Sequence, residues 1–157
     1  MGVKILNKTL KLVLAIVIPI TVFLVGIGTF VVFMVINAAN AEEYKLGDDS
    51  IRSITSVVGK RKATSVSTSI KNGVTTKKTT YSAEGTVNQD LTTYVQYLRN
   101  EGGFALTKDV DLSAPSSIIE LGKPSKDSGN LLVITILYTP FEYTVTIQKG
   151  AGQLTYY

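Results

Sequence analysis

Apolar and polar residues are distributed along this chain in three ways. From Leu12 to Ile36 there is no alternation at all, and twenty-five residues pass without a charge. Lys4, Lys8 and Lys11 stand before this run, and Glu42 and Glu43 after it. A helix over the run is about 37 Å long, enough to cross a hydrocarbon core of about 30 Å with some tilt. Lipid offers no water to backbone amides, so a helix is the conformation open to a single span. Pro19 removes one backbone donor and predicts a slight kink. Gly26 and Gly28 lie on different faces and form no small-residue seam. The span carries no ionisable residue, which argues against a proton relay or transport path.

The second pattern has the helical period. Leu91, Tyr94, Val95 and Leu98 follow at i, i+3, i+4 and i+7. Thr86 with Gln89 three residues later predicts a capping box, Asp90 falls in the positive first turn, and Gly102-Gly103 ends the helix. A shorter helix is expected earlier, capped by Asp48 or Asp49, carrying Ile51, Ile54 and Val58 on one face and stopped by Gly59.

The third pattern has period two. Asn72-Gly73 is a strong hairpin signal, because both central positions of a type I′ turn need positive φ. That turn sets Lys71 opposite Val74, Ile70 opposite Thr75 and Val66 opposite Thr79, with Val66, Ile70 and Tyr81 on one face. Phe104, Leu106, Val110 and Leu112 alternate with Ala105, Thr107, Asp109 and Asp111, and Ile118 to Leu121 reads as another short strand. Leu131 to Tyr138 is so continuously apolar that a central strand buried on both faces is expected. After a turn at Thr139-Pro140, Tyr143, Val145 and Ile147 alternate with Thr144, Thr146 and Gln148. The order is helix, hairpin, helix, then four strands. It predicts an α+β fold: one N-terminal transmembrane helix, then an antiparallel sheet of about five to six strands packed by two helices. The expected segments are a basic tail (1–11), an anchor (12–41), a polar linker (42–47) and an extracytoplasmic domain (48–157).

Charge sharpens the topology. Lysines ahead of the apolar run place the N-terminus in the cytoplasm and the domain outside. A cleaved signal peptide is the rival, since Ala39-Asn40-Ala41 offers small residues for processing, but the apolar run exceeds the usual span of about 7–15. Met1-Gly2 is followed at position 6 by Leu6, which removes a myristoylation reading. The net charge of +4 overstates the domain: after residue 41 there are 13 Lys and Arg against 12 Asp and Glu. A general affinity for polyanions loses its support. The chain has no cysteine and no histidine, which excludes disulfides, zinc-thiolate sites and thiol nucleophiles and removes the commonest general base.

Two clusters are candidate sites. Lys60, Arg61, Lys62, Lys71, Lys77 and Lys78 form a segment with no acid, suited to an anionic partner or simply to guarding a sheet edge; the second is preferred, since no aromatics are interleaved for base stacking. Asp109, Asp111, Ser113 and Glu120 fall at positions 1, 3, 5 and 12 of a calcium-loop count. Ala114 and Pro115 depart from that pattern and a strand precedes it, so a solvated strand face is the preferred reading. Most of the eight tyrosines read as packing residues with wet hydroxyls, with the terminal Tyr156-Tyr157 as an alternative partner contact. No GxSxG, SxxK or phosphate-cradling glycine loop is present.

The expectation is therefore a non-enzymatic, membrane-anchored envelope protein without a cofactor. Its partners are the bilayer and another envelope or membrane protein, with no specific nucleic acid. A pilin-like filament subunit is the alternative. The basic leader lacks a glycine-then-hydrophobic processing site and the apolar run opens without a glutamate, both against it. A domain released after Ala41 is the other alternative.

Overall fold

Left-handed backbone at a glycine sets the first turn of the domain. Glu43–Leu46 (β1) and Asp49–Arg52 (β2) pair antiparallel across Gly47-Asp48, with Gly47 at φ +62°. The segment expected as a linker is thus a strand, and its alternation buries Tyr44 and Leu46. The first helix begins later than the sequence suggested. Ile54–Val58 (α1) is capped by Ser53, whose Oγ accepts from the Ser56 N–H at 3.2 Å, and Gly59 at φ +90° ends it. Asp49, expected as the cap, instead pairs with Leu46 in the hairpin.

The computed structural model describes residues 41–154 apart from 108 and 113. The apolar run Leu12 to Ile36, with Lys4, Lys8 and Lys11, lies outside the described residues. Among the described residues, no helix is long and apolar enough to cross a membrane.

The main sheet has six strands in the order β3-β4-β8-β7-β6-β5, every neighbouring pair antiparallel. Lys62–Lys71 (β3) and Val74–Ser82 (β4) form the Asn72-Gly73 hairpin in the predicted register, Lys71 opposite Val74 and Val66 opposite Thr79. Asn72 and Gly73 sit at φ +51° and +77°, as a type I′ turn requires. Ala105–Leu106 (β5), Ser117–Pro124 (β6), Asn130–Tyr138 (β7) and Glu142–Ala151 (β8) complete the sheet.

Between β4 and β5 runs the long helix Val87–Asn100 (α2), which buries Val87, Leu91, Tyr94, Val95 and Leu98. The predicted capping box does not form. Thr86 sits at φ −121°, ψ −3°, outside the extended region, and its hydroxyl donates to Asp90 Oδ2 at 3.2 Å. At the other end Phe104 N–H reaches back to Leu98 O at 3.0 Å past Gly103 at φ +70°. Lys123 Nζ donates to Gly102 O at 2.9 Å, a cation at the negative end of the helix.

The core joins β1, β2, α1 and α2 to one face of the sheet, with Ile119, Leu121, Leu132, Ile134, Ile136, Tyr143, Val145 and Ile147 all buried. The helices thus lie on one side, and β7 is not buried on both faces. Its inner residues are covered, whereas Leu137 on the outer face is 53% exposed. The strand expected from Phe104 to Leu112 is two residues long. Thr107 still donates its N–H to Glu120 O at 3.0 Å, after which Val110 and Leu112 pack on the core from a loop.

Candidate functional site

The fold spreads the basic segment out rather than gathering it. Arg61 is turned inward, its side chain 23% exposed: its Nε and Nη2 donate to Asp90 Oδ2 and Oδ1, each at 2.6 Å. Asp90 is 2% exposed and also accepts from Tyr143 Oη at 3.3 Å. A carboxylate first read as a dipole partner for α2 is therefore the buried end of a bidentate pair. Lys60 and Lys62 stay at the base of the β3–β4 hairpin and Lys71 at its tip, about 30 Å away at the rise of an extended strand. Between them, Lys77 and Lys78 point to opposite faces of β4, paired with Thr68 and Ser67. No ion-pair partner is found for either among the described residues.

Ser113 of the suggested calcium set lies outside the described residues. Asp109 and Asp111 are exposed on a loop, and Glu120 on β6 accepts the Thr107 hydroxyl through Oε1 at 3.0 Å. Among the described residues no group of three His, Cys, Asp or Glu could hold a metal ion.

Two buried polar clusters were not anticipated. In the first, Lys149 on β8 is 8% exposed and bonds Asp49 Oδ2 at 2.8 Å, Leu46 O at 2.9 Å and the Asp127 carboxylate. Asp49 also accepts from Ser125 Oγ at 2.5 Å and the Lys126 N–H at 3.0 Å. Burial pushes the Asp49 carboxyl up, but hydrogen bonds from Lys149, Ser125 and the Lys126 amide outweigh it and hold it at about 2. Burial lowers the Lys149 ammonium, and the Asp127 and Asp49 carboxylates more than reverse that. The signal was legible: alternation along Tyr143, Val145, Ile147 and Lys149 carries a lysine onto the apolar face, where it needs an acid. The cluster clasps the β1–β2 turn, the β6–β7 loop and the end of β8. Lys149 and Asp49 are both held in their charged forms, so neither serves as a free base or nucleophile.

The second cluster is aromatic. Tyr44 and Tyr81 share a hydrogen bond of 2.9 Å between hydroxyls, the Tyr81 and Tyr143 rings lie 5.6 Å apart, and Tyr94 Oη donates to Arg52 O at 3.0 Å. Burial raises all four phenols above their ordinary value. They stay protonated at neutral pH and act as packing groups with satisfied hydroxyls.

A cavity of about 360 Å³ lies between β1 and α1 and is lined by Ala41, Glu42, Glu43, Arg52, Thr55, Ser56 and Lys60. Its mixed charges and open form differ from the apolar, enclosed sites that bind small molecules. No family model matches the chain, and no similar curated protein or solved structure was found.

One surface stands apart. β3 is an edge strand ten residues long with no proline, and no charge lies between Lys62 and Lys71. Ile70 there is 75% exposed.

Proposed function

We propose that this chain is a single-pass membrane protein whose extracytoplasmic domain binds a partner protein of the envelope and catalyses no reaction. The observation that carries the reading is the uncharged run from Leu12 to Ile36 behind Lys4, Lys8 and Lys11. The lack of histidine and cysteine supports a binding role over an enzymatic one.

Because the chain has no cysteine, Ser69→Cys supplies a unique thiol on an exposed strand. A membrane-impermeant maleimide added to intact cells is expected to label it, and the labelled protein to stay with the membrane fraction. Labelling only after lysis overturns the topology. A second reading, release into the medium, is favoured by Ala39-Asn40-Ala41. A mature N-terminus at Glu42 would establish it and displace the first.

A further inference from the structure

We propose that β3 is a docking edge that takes up an extended, acidic segment of a partner protein as a seventh strand. The inference rests on the reading of the domain as a binding module and gives it a site and a partner chemistry.

A long edge strand presents a row of unpaired backbone groups, and proteins ordinarily blunt such edges with prolines, charges, bulges or brevity. The far edge of this sheet is blunted by brevity, since β5 has two residues. β3 has none of these devices over most of its length. Its register irregularity falls between Ala63 and Ser65, near one end, leaving Ser65 to Ile70 regular. Side chains there are small or apolar: Ser65, Ser67 and Ser69 on the outer face, Val66, Thr68 and Ile70 on the inner. Val66 and the exposed Ile70 offer apolar surface to a neighbouring strand.

Charge selects the occupant. Lys78 stands beside Ser67 on one face, and Lys77 beside Thr68 on the other. Both neighbours are short, and a lysine stem is long enough to extend over one strand spacing of about 4.8 Å to a side chain on the next strand. On their far side, β8 offers Thr146 and Ile147, which are uncharged. Two ammonium groups thus flank the middle of the edge, one above the sheet and one below, and Lys71 stands at the end. An incoming strand meets them best with two consecutive acidic residues, since successive side chains point to opposite faces. A second copy of this chain fits poorly, because from Lys60 to Lys78 it carries lysines and no acid.

The test uses the purified full chain in detergent at low salt and a fluorescein-labelled peptide of alternating Thr and Val with a central Glu-Glu pair. Anisotropy is expected to rise with this peptide, and its Lys-Lys counterpart to bind at least about tenfold more weakly, as two exposed ion pairs exchanged for two repulsions allow. The double variant Lys77→Glu, Lys78→Glu is expected to invert the preference. Amide exchange, which needs no variant, should slow in β3 when the Glu-Glu peptide is present. Equal binding of the two peptides, or slowed exchange on strands other than β3, overturns the proposal. So does a homodimer in light scattering that Thr68→Pro dissolves, which would assign the edge to a second copy. Failure here with surface labelling of Ser69→Cys intact removes the docking edge and leaves the anchored topology standing.

Discussion

Replacing Lys149 by Met leaves the shape of β8 nearly unchanged while removing the ammonium that three elements share. The Asp49 side chain is only 4% exposed, so its charge cannot rehydrate and keeps only Ser125 and the Lys126 amide as partners. Asp127, at 41% side-chain exposure, can turn to water. Breaking a fully buried pair costs about 3–5 kcal/mol, and with one partner at the rim the expected loss is about 2–4 kcal/mol. Against a typical total of about 5–15 kcal/mol, that is a large fraction. The pH dependence follows from Asp49. Its folded value of about 2 lies below the unfolded 3.8, so the unfolded chain binds more protons in this range. The stabilisation is complete above about 4 and is lost as pH falls through about 2. Allowing for solvent screening at this partly open end of the sheet, it amounts to roughly 1–2 kcal/mol. Urea unfolding of the full chain in detergent, followed by circular dichroism, measures both effects. The stability gap between wild type and Asp49→Asn should be constant from neutral pH to about 4 and close below it. Combining Lys149→Met with Asp49→Asn should recover part of the loss, because a stranded amide costs less than a stranded charge. A loss under about 0.5 kcal/mol for Lys149→Met, or a gap that does not close in acid, refutes the clasp.

Arg61→Leu should lower stability by about 2–4 kcal/mol in the same assay, since Asp90 is then buried with only neutral donors from Thr86 and Tyr143. Gly102→Ala should cost about 1–3 kcal/mol by thermal melting, as its Cβ would stand 2.7 Å from Leu98 O, part of a helix end that cannot move freely. Leu98→Ala, at a fully buried position facing the sheet, should cost about 2–5 kcal/mol in urea. Gly73→Val, at φ +77° with open space around it, should loosen β3 and β4 in hydrogen exchange and leave the Leu91 region protected.

Local chemistry made the hairpin and the long helix legible. Asn72-Gly73 fixes a turn without help from the rest of the chain, and the Leu91 to Leu98 spacing fixes a face. The β1–β2 hairpin was hidden because each strand has only four residues, too few for a period of two to stand out from a helical one. The apolar run in β7 told that one face is buried but not whether anything covers the other, which is settled by β1, β2, α1 and α2 all choosing the same side. The capping box failed because Asp90, buried by its pairing with Arg61, draws the Thr86 hydroxyl toward itself. The candidate edge was half legible: the lysines stand out in the sequence, but their placement one strand in from an open edge depends on the β4–β8 pairing, between residues far apart in sequence.

That pairing also bears on how the protein is made. The last strand of this sheet in chain order, Glu142–Ala151, is inserted between β4 and β7 and not laid on at the periphery. Until it arrives, the β3–β4 arm and the β6–β7 pair have no shared hydrogen bonds, so a chain synthesised from its N-terminus leaves the sheet open to proteases and to misassembly until β8 is in place. A chain ending at Tyr138 should accordingly be degraded as readily as an unstructured one, and one extended through Ala151 should be resistant.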